Sequence, residues 1–579
     1  MKKYLFIALA ALGFAACAEH IDGPNAPIHN GELEESYIAI NLMAADNDTR
    51  AATDSYGYEE GTDAERLVKT AYFFFFDANG EPFNVTASAP GGDKNYLSVA
   101  ISEDSDSDSG MPNVSDIKEA VLILSTYKGV YPSQIVAVIN WVPTENTYSL
   151  EDLHTNTTGL VGVSDDDAKG GYVMSNSVYM DKAGNMVDAV PLTAANIKTT
   201  EAEALAAPVE IYVERIAAKV VLTASGKVAG TTNIFDTDKN SSAVGTLTSL
   251  NNVDVYVKLN GWELYNDYAT SNLLKNIDTT WDVTALGLTW NDIPYFRCYW
   301  ADSQETTLSD SFSWSYTNYA TKGFQTEYGF AIASEANYTD RTTYTYCGEN
   351  TNQVNGDSDP RTKVILKGQL MQKNGENNYE LLELARWYGT EYAGEEALRT
   401  AVANSLKYTL YSSANGSDFE SIKPDDLQCV DGATDKTDNV KAYEVYFQLS
   451  TAGEGKIWYQ YSSAGGYQVL DSIESTPNKT ATNNYLKSVE PALLYNDGQT
   501  YYSVDIEHLG TAGAKYGVVR NHVYQIDIKS IKGYGSPVYS GDIGFLKPEY
   551  PTVDEASYVS ARINVLSWKV VKQGVDIVQ

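Results

Sequence analysis

The feature that most constrains this chain is a long series of strand-like runs broken by turn residues, with hardly any helix between them. Residues 67–76 (Leu-Val-Lys-Thr-Ala-Tyr-Phe-Phe-Phe-Phe) form an unbroken apolar run that ends at Asp77-Ala-Asn-Gly80. That pattern predicts a buried strand followed by a turn. Residues 119–125 and 135–142 read the same way, 172–177 gives a short strand, and 209–223 alternates cleanly enough to predict the longest strand of the first half. A second set follows at 253–262, 363–370, 443–449, 456–461, 501–506 and 522–531. Helical periodicity is confined to 378–388 and 395–404, both in one insertion, with short turns near Glu151 and Ala194. Strands without intervening helices pair antiparallel, so the expected class is all-β, with tandem antiparallel β-sandwiches and a small helical insertion in the second. At 579 residues one core is too few. The expected boundary lies near 225, giving sandwiches at 51–225 and 226–560. No repeat of 20–50 residues is present, which argues against a solenoid or propeller.

The two ends have their own character. Lys2 and Lys3 precede an apolar run at 4–12, and small residues lead to Cys17. This is a charged region, a hydrophobic stretch too short to span a bilayer, and a cleavage site. Phe14-Ala15-Ala16-Cys17 resembles a bacterial lipobox with Phe14 in the usual Leu position, which predicts a signal peptide at 1–16 and a lipidated Cys17. A segment from 17 to 50 follows. It holds a polar tether at 18–35, a strand at 36–44 with Ile38, Ile40 and Leu42 on one face, and then Arg50-Ala51 in a polar stretch. Arg66 is a second arginine nearby, abutting the apolar strand.

At the other end, residues 561–579 begin with an alternating run, Ile563, Val565, Ser567 and Lys569 against Asn564, Leu566, Trp568 and Val570. Neither phase is purely apolar, which suits a strand covered on both sides for part of its length. After a turn at 572–574, Val575 and Ile577 continue as a short strand, and Lys547-Pro548-Glu549-Tyr550-Pro551 upstream makes a stiff linker. From the residues alone, this tail either completes the chain's own C-terminal sheet or swings out to another molecule.

Composition narrows the function. A net charge of −36 repels nucleic acid. The 43 Tyr and 43 Gly suit a sheet-rich surface protein. Only Cys298, Cys347 and Cys429 follow Cys17, an odd number that allows one bridge at most. Asp104-Ser-Asp106-Ser-Asp108-Ser-Gly110 lacks the Gly and Glu of a calcium loop at the required positions, where Ser109 and Ser115 stand. His154, His508 and His522 occur singly, and no zinc motif, nucleophile elbow or phosphate loop is present, so no catalytic, cofactor or metal residue is assigned and no enzyme activity is expected. Trp141, Trp262, Trp281, Trp300, Trp314 and Trp458 are candidate sugar platforms, though most lie in strands and read as core.

Taken in order, these motifs resemble the fimbrillins of Bacteroidales, the subunits of protease-assembled pili, and most closely the stalk subunit type of the short fimbria. The resemblance is carried by the lipoprotein signal, the strand at 36–44 with Arg50-Ala51, and Ile135-Val-Ala-Val-Ile-Asn140. It continues through Val173-Met-Ser175, Val213-Glu-Arg-Ile-Ala-Ala-Lys-Val220, Thr362-Lys-Val-Ile-Leu-Lys-Gly-Gln-Leu370, Tyr516-Gly-Val-Val-Arg-Asn-His-Val-Tyr524 and Ile563-Asn-Val-Leu-Ser-Trp-Lys-Val570. Residues 263–360 and 371–440 match least well.

The resemblance implies two transthyretin-like sandwiches and a lipidated precursor at the outer membrane. It implies cleavage after Arg50 by a gingipain-type, arginine-specific protease, with Arg66 a rival site made less accessible by abutting the apolar strand at 67, and self-polymerisation in which a neighbour's C-terminal strand replaces the removed one. It also implies anchor and tip subunits as further partners, with receptors on host or bacterial surfaces. The competing readings are a surface glycan-binding lipoprotein, or an anchor or tip component of the same pilus.

Overall fold

The computed structural model describes residues 33–47, 65, 67–86, 93–100, 113–127, 129–162, 171–180, 186–231, 233–237, 246–247, 253–278, 300–303, 322–324, 343–353, 359–375, 378–431, 444–470, 478–508, 515–539, 558–566 and 571–572. The architecture is all-β: strands in mostly antiparallel sheets with few helices, as the sequence pattern predicts.

The first sheet is built from β1 (Leu33–Asn47), β2 (Thr70–Phe76), β3 (Tyr96–Ala100), β4 (Asn113–Tyr127), β5 (Gln134–Ile139), β6 (Met174–Asn176) and β7 (Val209–Arg215). Its order is β3-β2-β5-β6-β7-β1-β4, with Val190–Pro191 alongside β5. The run of four phenylalanines in β2 follows from burial on both faces of this sheet. Phe73 and Phe75 pack with Ile38, Leu122, Leu124, Ile135 and Ile211 on one side. Phe74 and Phe76 pack with Val136, Val138, Tyr148 and Leu153 on the other. A strand covered on both faces reads as continuous apolar sequence rather than as alternation.

The segment expected as one strand over 209–223 is in fact two. β7 ends at Arg215, and β8 (Ala217–Thr223) begins after Ile216 in a different sheet. Ile216 is fully buried, packed with Val173, Leu273 and Leu274. The alternating pattern runs through this residue because both halves are strand. Only tertiary pairing reveals that they belong to different sheets.

β8 joins β10 (Tyr344–Gly348), β13 (Val523–Lys532), β14 (Tyr558–Leu566) and β15 (Val571–Lys572) in the order β10-β8-β13-β14-β15. A facing sheet contains β9 (Val253–Tyr265), β11 (Lys363–Lys373) and β12 (Gln499–Asp505), flanked by Ile234–Asp236 and Ser536–Pro537. Val220, Leu222, Tyr524, Ile526 and Ile528 from the one sheet meet Val255, Val257, Trp262, Leu366 and Val504 from the other in a single core. Among the described strands, the parallel ladders are β1 with β7 and β8 with β13.

The two halves are stitched together. Thr270–Asn272 pairs with Thr157–Gly159, and Leu273 and Leu274 enter the core beneath Phe74 and Phe76. Arg520, fully buried, bonds Glu349 at 3.2 Å and donates to the Leu273 carbonyl at 3.2 Å. Burial pushes the Glu349 carboxyl up, but the Arg520 charge, with Lys275, more than offsets it and holds the group below the ordinary carboxylate range.

The insertion has its own core, where Trp387, Leu398, Phe447, Trp458 and Leu486 pack together. The expected helix at 395–404 is present as Gly394–Leu406. The expected helix at 378–388 is not. Its residues form strands Tyr379–Leu381 and Leu384–Trp387, the second pairing with Thr390–Ala393. Tyr388 and Gly389 sit at φ 48° and 70°, the mirror-image backbone of a tight two-residue hairpin. Leu382 and Leu384 are buried in the sandwich core while Ala385 and Trp387 enter the insertion core. Packing on both sides overrides the helix propensity of Glu, Leu, Ala and Arg.

Candidate functional site

The candidate site is the seat of the first strand. The strand expected at 36–44 runs from Leu33 to Asn47. It lies inside its sheet. On one side it pairs antiparallel with β4 along almost its whole length, from Leu33 opposite Tyr127 to Asn47 opposite Asn113. On the other it pairs parallel with β7, Ile40 to Ala44 against Val209 to Val213. Tyr37 extends that side by exchanging main-chain hydrogen bonds with Lys198, donating at 2.7 Å and accepting at 2.9 Å. Among the described residues, the strand ladder of β4 is with β1, supplemented by the Ser125 N–H donating to the Val85 carbonyl at 3.0 Å.

Ile38 is fully buried in the core with Phe73, Phe75, Leu122 and Leu124. Ser36 and Ala39 are also buried, so this part of the strand is covered on both faces. Ile40 and Leu42 stand in register opposite Ala120 and Lys118.

The tail strand lies elsewhere. β14 pairs antiparallel with β13, with Ile563 opposite Ile526 and Val565 opposite Tyr524, and β15 folds back on it. Ile526 and Tyr524 both belong to the second core. The tail thus completes the chain's own C-terminal sheet, one of the two options open in the sequence. Cys17, Arg50, Ala51, Trp568, Val570, Val575 and Ile577 lie outside the described residues.

Other candidates resolve into structure. Trp262, Trp300 and Trp458 are buried and Trp141 packs against a core, while Trp281 and Trp314 lie outside the described residues. Cys347 and Cys429 are buried free thiols in different cores, and burial pushes both well above the ordinary thiol range. His508 and His522 meet edge-to-face with ring centroids 5.0 Å apart, and His508 meets the Tyr524 hydroxyl at 3.0 Å. His154 pairs with Asp188 at 2.9 Å. Among the described residues, no group of three His, Cys, Asp or Glu side chains is arranged to hold a metal ion. Two further buried polar residues, Glu65 and Asn140, bond groups far away in the chain and carry little local signal in the sequence. For Asn140, the available signal is a lone amide closing an apolar run.

Residues 493–574 match a family model described as the major fimbrial subunit protein type IV, Fimbrillin, C-terminal. That segment contains β12, β13, β14 and β15. No curated protein matches the chain. Among solved structures, a fimbrilin from Porphyromonas gingivalis is 11% identical, with 94% of this chain and 99% of that one covered and a TM-score of 0.33. A fimbrial assembly protein from Parabacteroides distasonis is 11% identical, with 76% and 100% covered and a TM-score of 0.27. A C-terminally truncated tip fimbrial protein from Porphyromonas gingivalis is 11% identical, with 91% and 99% covered and a TM-score of 0.25. With the C-terminal match added to its ordered motifs, the chain resembles the fimbrillins.

Proposed function

We propose that this protein is a structural subunit of a fimbria, exported as a lipidated precursor and trimmed after Arg50. In this reading it polymerises by strand exchange, with the tail beyond residue 560 of one copy entering the seat left by β1 in the next. The units divide at Ile216, where the chain leaves the first sheet, a few residues before the boundary expected near 225. The precursor is held at the outer membrane through Cys17, and the trimmed form becomes part of an extracellular stalk that supports adhesion and meets anchor and tip subunits at its ends.

One observation carries this reading: β1 is bonded on both sides within its sheet and drives Ile38 into the core. Its departure leaves two ladder edges and a hole. Each aliphatic side chain lost from full burial costs roughly 1.5–3 kcal/mol, so a few lost together approach the scale of a domain's whole stability. An emptied seat of this kind demands a replacement strand, and main-chain pairing on both flanks accepts one by β-augmentation. The decisive experiment replaces Arg50 with Ala in the full chain. The variant is expected to accumulate as an untrimmed precursor that forms no denaturation-resistant ladder on gels, and normal ladders from it would refute the scheme.

A further inference from the structure

Between the first strand and β2 the chain carries two arginines, Arg50 and Arg66. An arginine-specific protease does not distinguish them by chemistry. The residues on either side of Arg66 are held by the folded protein. Glu65 is 1% exposed, and its carboxylate accepts a hydrogen bond from Lys219 Nζ at 3.0 Å and another from the Tyr346 hydroxyl. Its main-chain carbonyl accepts from Arg215 Nε at 2.6 Å. Lys219 is itself buried.

On the other side, the Leu67 carbonyl accepts from Asn140 Nδ2 at 2.6 Å, and the Lys69 N–H donates to Asn140 Oδ1 at 2.9 Å. The same Nδ2 donates to the Tyr172 carbonyl at 2.9 Å. Asn140 reaches these groups from a left-handed backbone at φ 55°, which Asn tolerates better than most residues. Gly171 closes the packing: a Cβ there would sit 2.3 Å from Asn140 Nδ2 and 2.8 Å from the Leu67 carbonyl oxygen.

A protease binds several residues around the scissile bond as an extended strand, using their main-chain groups. Around Arg66 the carbonyls of both neighbours are already engaged. Drawing Glu65 into a cleft would also strip its carboxylate from a buried lysine, a costly separation of charge. We propose that Glu65 and Asn140 form a two-sided clasp that withholds Arg66 from the arginine-specific protease and so limits trimming to Arg50. This inference rests on the trimming reading above and adds the means by which one arginine is chosen over the other.

The test incubates the purified full chain with an arginine-specific protease and follows new N-termini by sequencing. In the native protein, chains beginning at Leu67 should form at least about 100-fold more slowly than chains beginning at Ala51, because cleavage there waits on local opening. In urea-unfolded protein the two rates should be comparable. Glu65→Gln and Asn140→Ala should each raise the native Leu67 rate at least about tenfold and leave the Ala51 rate unchanged. Measurable native wild-type rates within about threefold of each other would overturn the clasp, as would folded variants with no gain at Leu67. A native chain uncut at both bonds, with Glu65→Gln or Asn140→Ala opening Leu67, would support the clasp and overturn trimming at Arg50.

Discussion

The first and last long strands of this chain sit in opposite situations. β1 lies within its sheet, laddered to β4 and β7 at once, with Ile38 in the core. Among the described residues, β14 lies near the margin of its sheet, laddered to β13 along its length and on the other flank to the two residues of β15. Interior strands are expensive to lose because two ladders and a core face go together. Marginal strands are cheaper because one ladder goes. The segment proposed to leave is therefore the harder one to lose, which is why its removal would need an irreversible cut. The segment proposed to donate needs only to peel from one main partner.

The largest expected effect breaks that contrast at its core. Ile38→Asp should destabilise the untrimmed chain by about 3–5 kcal/mol, through lost packing and a buried charge. It should leave fibres of trimmed protein unaffected, because the residue is gone from them. Denaturant unfolding of both forms measures this directly, and equal losses would contradict the removal of β1. Next, deleting residues 558–579 should cost the monomer less than deleting 33–47, while abolishing ladder formation completely. Paired unfolding curves and native gels check both parts.

A third measurement uses pH. Asp527 lies on β13, in register opposite Arg562 of the tail strand. Burial pushes its carboxyl up, but bonds from Lys529, Ser225 and Thr223 more than offset this and leave it below the usual range. Asp359 is lowered likewise, with Arg361 and Lys363 outweighing burial, and Glu349 is held down beside Arg520. In the first half, Asp188 is lowered in the same sense by His154. Groups depressed in the folded state stabilise it above their ordinary values. That contribution fades as pH falls from about 4 through the folded values. Glu263, Asp267, Glu383 and Glu507 are raised by burial and work the other way, so the effect is local: hydrogen exchange should quicken below about pH 4 in the strands beside Asp527 and Asp359. Unchanged protection there at about pH 3 would overturn the assignment.

The smallest effect concerns the clip on β1. Lys198 holds Tyr37 by main-chain groups, so Lys198→Ala should change stability by less than about 0.5 kcal/mol. Lys198→Pro, which removes the donating N–H, should cost about 1–2 kcal/mol.

Legibility in the sequence followed local signals. Phe73 to Phe76, Ile135 to Ile139 and Val253 to Tyr265 declare themselves because burial on one or both faces writes directly into residue type. Ile38 was legible for the same reason. The break at Ile216 was not, since a strand changing sheets keeps its alternation and only long-range pairing exposes the change. The hairpin at 384–393 was hidden by helix-forming residues that two separate cores hold extended. Glu65 and Asn140 bond partners 71 to 154 residues away in the case of Lys69 and Lys219, distances that no local pattern reports.

The passage at Ile216 has a mechanical consequence. β7 flanks the seat of β1, and β8 flanks β13, which carries β14. Tension applied between a strand lodged in that seat and the chain's own tail therefore crosses the molecule along one continuous backbone from β7 to β8. The hydrogen-bond ladders at either end are loaded lengthwise, in shear, where many bonds must fail together rather than one after another. A stalk built from such units would resist pulling by geometry, with the two ladders, rather than the covalent passage at Ile216, the first elements to yield.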